Sequence, residues 1–388
     1  MIEYSGLLSG RVKDVKPSGI RKFFDVANEM DGVISLGVGE PDFKTPWSIR
    51  EAGIYSLEKG RTWYTANSGL LELRQEIAAY LDRRFRLQYD PKTEIMVTVG
   101  GSEAIDACIR ALCDEGDEVL IPEPCFVSYD PCTRLCGAVP VPVPLKAENQ
   151  FKLTVEDLQG KITPRTKALI LPFPNNPTGS VMRREDLEPL AAYLSDKNII
   201  VLSDEIYSEL TYDGTHASIA ELPGMKERTV VINGFSKSYA MTGWRLGYAC
   251  GPKEILEQMY KIHQFAIMCA PTTSQFAAIE AVKNCDGEIA AMREEYDMRR
   301  RLITAGFNEL GLTTFMPEGA FYIFPCIKST GLTSDEFCEK LLYTQRVAVV
   351  PGTAFGDSGE GYVRVSYSYS IGHIKTALER VALFLESL

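Results

Sequence analysis

Residues 199–207 read IIVLSDEIY, and this stretch is the strongest indication of the fold class. The run of four apolar residues at 199–202 is too short for a helix, and an acid, Asp204, follows it after a single serine. Such short apolar runs are typical of strands that are buried on both faces of a parallel sheet. Almost wholly apolar runs recur at 118–121, 168–171 and 229–232. The sequence therefore predicts a parallel sheet.

Segments with helical periodicity lie between these runs. Residues 69–85 carry apolar side chains at the spacing of an amphipathic helix, and 102–113 and 184–197 are similar. The alternation predicts an α/β fold, with a large domain built on a mostly parallel, doubly wound sheet. After about residue 285, charged helical segments and scattered strands predict a smaller α+β unit that packs on this sheet.

Composition narrows the classes of function. The 388 residues are 45% hydrophobic and 24% charged, which is typical of a globular protein. The net charge of −11 argues against nucleic acid as a partner. No apolar run approaches the ~18 residues of a membrane helix, and no signal peptide is recognisable, so we expect no membrane partner and a cytoplasmic location. Ten scattered cysteines and three isolated histidines predict reduced thiols and no metal site.

Polar residues follow four of the predicted strands. In open α/β sheets, ligands bind beyond the carboxyl ends of the strands. Asp204 follows one strand, Lys237 follows the run at 230–233, Asn176 follows that at 169–174, and a Gly-Gly-Ser stretch starts at Gly100. Alone, the acid is explained as a helix cap, the lysine as a solvated amine and the other two as turns. Together they indicate a phosphorylated, ring-bearing cofactor that is linked to a lysine.

Residues 234–247, GFSKSYAMTGWRLG, resemble the lysine signature of class I/II pyridoxal-phosphate-dependent aminotransferases. Further blocks that resemble this family follow in order along nearly the whole chain: SLGVGEPDF at 35–43, YT at 64–65, GLLELR at 69–74, NPTG at 176–179, SDEIY at 203–207, GAFY at 319–322 and YVRVS at 362–366. The chain thus resembles the bacterial-type subgroup of the aspartate aminotransferase superfamily, of fold type I. The resemblance implies a large cofactor-binding domain at 47–287 and a small domain formed by both chain ends, 1–46 and 288–388.

The same resemblance implies pyridoxal 5′-phosphate as the cofactor and assigns the catalytic residues. Lys237 is expected to hold the cofactor as a Schiff base and then to move the proton between substrate and cofactor. Asp204 is expected to keep the ring nitrogen protonated, while Tyr207 and Asn176 hydrogen-bond the phenolic oxygen. Phe126 stands where the family places a ring-stacking aromatic residue, often Trp or Tyr.

For the cofactor phosphate, the resemblance implies four contacts within the chain and one from a neighbour. Gly101 and Ser102 open a helix whose free N–H groups favour an anion, and Ser236 and Arg245 match the family's hydroxyl and guanidinium contacts. Tyr64 matches a tyrosine that reaches the phosphate of the neighbouring subunit, which implies a homodimer with shared active sites. A plain interface or core tyrosine is the alternative for Tyr64.

Substrate recognition is only partly readable. Arg364 matches the arginine that binds the substrate α-carboxylate, with the Gly39 N–H and the Asn176 amide beside it. Ile20 resembles an apolar gate, and Arg21 is either a ligand for an acidic side chain or an exposed charge. The amino donor, the 2-oxo acceptor, the metabolic pathway and any assembly beyond a dimer stay open.

We therefore expect an aminotransferase that works by ping-pong exchange between an L-amino acid and a 2-oxo acid. One alternative is a C–S β-lyase on the same scaffold, although AMTGWR at 240–245 looks more like the aminotransferase version. A second is a cofactor-binding sensor that regulates transcription. A DNA-binding extension would accompany such a sensor, and the resemblance that begins by residue 20 leaves no room for one.

Overall fold

The computed structural model describes residues 2–17 and 30–388. Ile20 and Arg21, for which a gate and a substrate contact were predicted, lie outside these residues. The described strands are β1 Ile34–Ser35, β2 Ile95–Thr98, β3 Glu118–Glu123, β4 Val139–Pro144, β5 Thr166–Leu171, β6 Ile200–Asp204, β7 Thr229–Gly234, β8 Gly247–Cys250, β9 Tyr322–Ile323, β10 Val347–Ala348, β11 Val350–Pro351 and β12 Val363–Ser366. The described α-helices are Gly10–Lys13, Trp47–Glu58, Leu71–Phe85, Gly100–Leu112, Tyr129–Cys136, Val155–Leu158, Arg184–Leu194, Lys253–Ala266, Thr272–Asn284, Asp286–Glu309, Ser334–Gln345 and Ile371–Glu386.

Seven strands form the central sheet, in the order β2-β8-β7-β6-β5-β3-β4. The four neighbouring pairs from β7 to β4 are parallel, whereas β8 is antiparallel to both β7 and β2. Only β8 therefore runs against the common direction in this sheet. The predicted α/β fold with a mostly parallel sheet is confirmed.

Both faces of the central sheet are buried, as the apolar runs predicted. Alternate residues of β5 belong to different hydrophobic clusters: Ala168 and Ile170 face the helices Gly100–Leu112 and Lys253–Ala266, while Leu169 and Leu171 face the helix Arg184–Leu194. This period of two is the geometry of a strand whose successive side chains point to opposite faces. The helices on both faces leave only the edges of the sheet open to ligands.

The carboxyl edge of the sheet gathers the polar loops that the sequence singled out. β6 ends at Asp204 itself, and β7 ends at Gly234, three residues before Lys237. Because β8 runs in the opposite direction, it begins at this edge, and Gly247 pairs with Gly234 on one side and Thr98 on the other. The reversed strand thus brings the segment just before it, which contains Arg245, to the same edge.

Smaller sheets lie beside the central one. β12 pairs with both β11 and β9 in antiparallel orientation, and β1 near the start of the chain pairs with β10 in parallel. Leu36 and the helices Asp286–Glu309 and Ile371–Glu386 contribute to one hydrophobic cluster around these strands. Within the described residues, no helix combines the length and the apolar character needed to cross a membrane.

Candidate active site

A cavity of about 360 Å³ opens at the carboxyl edge of the central sheet. It lies where the loops after β2, β3, β5, β6 and β7 meet the β12 strand. The structure brings eleven of the twelve predicted site residues to its wall: Gly39, Gly101, Ser102, Phe126, Asn176, Asp204, Tyr207, Ser236, Lys237, Arg245 and Arg364. Tyr64 is not among them and stands with 76% of its surface exposed, in the loop before the helix Leu71–Phe85.

Lys237 supplies the amine of the cavity. Its Nζ donates a hydrogen bond to the Gly39 carbonyl at 2.5 Å. Burial, aided by the charge of Arg364, lowers the pKa of Lys237 to about 8, although nearby carboxylates oppose this shift. A lysine with such a pKa provides a neutral, nucleophilic amine far closer to neutral pH than an exposed lysine does.

Asp204 supplies the buried carboxyl group. Oδ2 accepts a hydrogen bond from the Tyr129 hydroxyl at 2.7 Å, and Oδ1 accepts one from the Ile206 N–H at 3.2 Å. Burial raises the pKa of Asp204 to about 6, against these two hydrogen bonds, which lower it. A cation placed against this carboxyl would favour its ionised form and offset the penalty of burial. Tyr129 was not predicted as a site residue, because no local sequence pattern indicates its contact with Asp204, 75 positions away.

Two tyrosine hydroxyl groups meet on the side of the cavity towards the small sheets. The hydroxyl groups of Tyr207 and Tyr322 lie 2.9 Å apart. Burial raises the pKa of Tyr207 well above its usual value, so the phenol keeps its proton. Tyr322 was not predicted as a site residue, although it ends the GAFY stretch at 319–322. A Cβ on Gly39 would collide with the same hydroxyl, so a larger residue there would force Tyr322 to move.

Arg364 is a buried cation on β12, with 2% of its surface exposed. Nη1 donates to Asn176 Oδ1 at 2.9 Å and Nη2 donates to the Gly37 carbonyl, while the buried Nε has no hydrogen-bond partner among the described residues. Burial lowers the pKa of Arg364. Within the described part of the chain its hydrogen bonds go to neutral oxygens and none to a carboxylate. A buried guanidinium in this state fits an anion with two oxygen atoms.

The start of the helix Gly100–Leu112 forms a cradle with Arg245. Gly100 has a φ of +78°, and a Cβ there would lie 2.6 Å from Arg245 Nη2. A Cβ on Gly247 would lie 2.6 Å from the Gly100 carbonyl carbon and 2.7 Å from the Gly101 nitrogen. The two glycines therefore let backbone and guanidinium approach each other closely. Free N–H groups, the helix dipole and Arg245 together favour an anion such as a phosphate at this point.

The charges of the cavity are complementary to one kind of molecule. One wall has an anion-binding cradle, another has the buried Asp204 carboxyl group, whose hydrogen bonds within the described residues come from Tyr129 and Ile206, and Lys237 lies among them. The Phe126 ring contacts Tyr129 edge-on, with 5.7 Å between the ring centroids, and lines the same space. A planar ring that carries a phosphate, a protonated ring nitrogen and a carbonyl group for the amine fits these residues.

The sequence and the structure of the chain are both similar to those of known proteins. The sequence profile of the family "Aminotransferase class I and II" matches residues 31–381. The chain is 55% identical to the putative aminotransferase YugH of Bacillus subtilis, over 97% of this chain and 98% of that protein. It is 48% identical to an aspartate aminotransferase of Pyrococcus abyssi, over 96% and 97% of the two chains. A crystal structure of an aromatic aminotransferase from Pyrococcus horikoshii superposes with a TM-score of 0.90, at 47% identity, over 94% of this chain and 99% of that one.

Proposed function

This chain belongs to the aminotransferase class I and II family and is a transaminase, and we propose that it uses pyridoxal 5′-phosphate to exchange an amino group between an L-amino acid and a 2-oxo acid. The observation that carries the proposal is the Lys237 amine, which has its pKa lowered to about 8 and shares one cavity with Asp204 and Arg364. A C–S β-lyase and a regulatory sensor are set aside, because the named relatives are aminotransferases.

The residues of the cavity fit this cofactor group by group. The cradle of Gly101, Ser102, Ser236 and Arg245 would take the phosphate, since it combines backbone N–H groups, a hydroxyl and a guanidinium. Asp204 would pair with the protonated ring nitrogen, which also offsets the burial of its carboxyl group. The remaining contacts would be to the ring and its phenolic oxygen, from Phe126, Asn176 and Tyr207.

Three residues of the cavity would have distinct roles in the reaction. When bound, the cofactor ring withdraws the electron pair that the breaking Cα–H bond of the substrate releases. The Lys237 amine would take the proton from Cα and return it at the carbon by which the cofactor is attached, acting first as base and then as acid. The Asp204 carboxylate would hold the ring nitrogen protonated, and Tyr207, which keeps its proton, would donate to the phenolic oxygen.

Arg364 would bind the α-carboxylate that every amino acid and 2-oxo acid carries. Its buried Nε and its two bonds to neutral oxygens leave the guanidinium charge for an anion. The Gly39 N–H would add a further donor. Relatives named for aspartate and aromatic amino acids make these two classes the first donors to test.

We propose that the active unit is a homodimer whose subunits complete each other's sites. Tyr64 and its neighbour Trp63 are 76% and 57% exposed, and Phe265 is 87% exposed. The Thr272 hydroxyl donates to the Trp63 carbonyl at 2.7 Å, which ties this loop to the segment that follows Phe265. Large exposed aromatic side chains of this kind fit a surface that a second copy covers. The Tyr64 hydroxyl would then reach the phosphate in the partner.

Two further expectations belong to this proposal. All ten cysteines have free thiols, which fits a reducing compartment such as the cytoplasm. Residues 47–287 would form the large domain, and 1–46 with 288–388 the small one, with the second boundary in the first turn of the helix Asp286–Glu309.

The half-reaction tests the proposed function directly. We expect purified protein to show the absorbance of lysine-bound pyridoxal phosphate, and an amino donor alone to convert it to the pyridoxamine form. A 2-oxo acid should then restore the first spectrum, and a panel of amino acids would identify the donor. Release of ammonia and pyruvate instead of a reversible conversion would indicate the lyase.

A further inference from the structure

A buried histidine and a glutamate lie directly behind the phosphate cradle, and the reaction described above uses neither. Glu103 is in the first turn of the helix Gly100–Leu112, one residue after Ser102. Its Oε2 accepts the N–H of Val99, the residue that precedes the helix, and its Oε1 lies 2.5 Å from His263 Nδ1. His263 is fully buried, in the last turn of the helix Lys253–Ala266.

The hydrogen-bond pattern defines the state of this pair. Oε2 of Glu103 accepts the backbone N–H of Val99, and Oε1 shares one proton with His263 Nδ1, so both carboxyl oxygens are engaged. His263 Nε2 is buried and has no hydrogen-bond partner among the residues that the structure describes. The contact with Glu103 is therefore the polar contact that the described structure offers to the ring.

The position of the carboxylate has a consequence for the cradle. Glu103 takes the N–H of Val99 and so fixes the backbone at the turn between β2 and the helix. A second contact holds the same turn, because the Thr98 hydroxyl donates to the Gly100 carbonyl at 3.0 Å. Gly101 and Ser102, the residues that follow this turn, line the cavity. The Glu103 carboxyl group is held between the Val99 N–H and His263 Nδ1.

We propose that Glu103 and His263 act as a positioning pair that holds the 99–102 turn in its phosphate-binding shape. The pair also links this turn to the exposed end of a neighbouring helix, because the His263 carbonyl accepts the N–H groups of Ile267 at 2.8 Å and Met268 at 3.0 Å. The inference rests on the proposed binding of a cofactor phosphate at Gly101 and Ser102.

Two variants each remove one member of the Glu103–His263 pair. Glu103→Gln keeps the shape of the side chain and removes its charge, and His263→Phe fills the buried space without a donor. Asp106→Asn is the matched control, since Asp106 is on the same helix in an exposed pair with Arg110. If His263→Phe fails to fold, Glu103→Gln still tests the proposal, because its side chain is 15% exposed and nearly isosteric.

The experiment measures the rate at which the holoenzyme releases its cofactor. Samples are passed through gel filtration at timed intervals, and the absorbance of the cofactor that remains bound is recorded. We expect Glu103→Gln to release the cofactor about tenfold faster than wild type, because the amide has one acceptor oxygen in place of two and no charge, so the Val99 N–H and His263 can no longer share a charged partner. The double variant should release the cofactor no faster than the faster-releasing single variant, since both substitutions remove the same interaction. The ³¹P resonance of the bound phosphate should also move in both single variants and not in Asp106→Asn.

The outcomes distinguish this inference from the proposed function. Release from Glu103→Gln within about twofold of wild type, or effects of the two substitutions that simply add, would overturn the positioning pair. An unchanged ³¹P resonance with a lowered melting temperature would also overturn it, since the pair would then be structural only. If borohydride reduction of wild type gave no pyridoxyl group on Lys237, the proposed function would fail first, and this inference with it.

Discussion

At the scale of single residues, the amine of Lys237 is the group on which the proposed chemistry depends. We expect Lys237→Ala to fold, because the side chain lines the cavity rather than the hydrophobic core and makes its hydrogen bond to one carbonyl oxygen. The variant should lose the borohydride-trappable cofactor and nearly all turnover, since both base and attachment point are gone. Mass spectrometry of the reduced protein checks this. Lys253→Ala, at an exposed lysine, is the control, and a pyridoxyl group on another lysine in wild type would contradict the assignment.

Asp204→Asn should have opposite effects on the rate of the chemical step and on the stability of the cofactor-free protein. The chemical step should slow by about 100- to 1000-fold, because the charge that stabilises the ring proton is lost. Folding raises the pKa of Asp204 to about 6, so the stabilising contribution of its proton is present below pH ~4 and is lost as the pH rises through 6. At pH 7 the free energy of unfolding of the cofactor-free variant should therefore exceed that of cofactor-free wild type by on the order of 2–3 kcal/mol. At pH 4 the two proteins should unfold at the same denaturant concentration.

Asp196→Asn, at an exposed carboxylate, is the control for both measurements. A turnover within about tenfold of wild type would mean that Asp204 is only a strand-end residue.

Sequence alone led to eleven of the residues that line the cavity, through strand ends and a family resemblance, but not to Tyr129 or Tyr322. Tyr129 acts through one hydrogen bond to Asp204, which is distant in sequence. Its neighbourhood is an ordinary short helix, Tyr129–Cys136, and no local pattern marks a long-range partner. Contacts of this kind depend on the packing of the folded chain.

At the scale of elements, the close approach of three backbone segments shapes the cradle. Gly247→Ala places a Cβ 2.6 Å from the Gly100 carbonyl carbon, and backbone on both sides cannot move easily. We expect a loss of about 1–3 kcal/mol in the free energy of unfolding, together with faster release of cofactor. Denaturant titration and absorbance measure the two effects. Gly243→Ala, which meets open space, is the matched control, and equal behaviour of both variants would refute the argument.

The predicted helices and strands were close to those observed, but two strands of the central sheet were not predicted. β4 carries Pro140, Pro142 and Pro144, and proline normally argues against a strand because it lacks an N–H. β4 is the edge strand of the sheet and pairs only with β3, so its other side needs no donors. β8 was missed because its four residues follow the lysine motif without a break and run against the common direction.

At the scale of the whole molecule, the proposal requires two subunits to assemble around shared active sites. We expect the protein to sediment as a dimer, and Tyr64→Phe to remain dimeric while it releases the cofactor more readily. Its lost hydrogen bond to a phosphate is worth about 1.5–3 kcal/mol. Analytical ultracentrifugation and cofactor absorbance check both points. Tyr55→Phe, at a nearby exposed tyrosine, is the control, and a fully active monomer would rule out shared sites.

The reversed direction of β8 also has a consequence for how the chain reaches its native state. Parallel neighbours such as β5 and β6 are joined through a crossover helix, whereas β7 and β8 pair in antiparallel fashion across the connection 235–246. That connection contains both Lys237 and Arg245. Closing a short loop loses less chain entropy than a crossover, and local contacts form early in folding. The part of the sheet that carries the amine and the guanidinium is therefore expected to acquire its shape while distant strands are still unpaired.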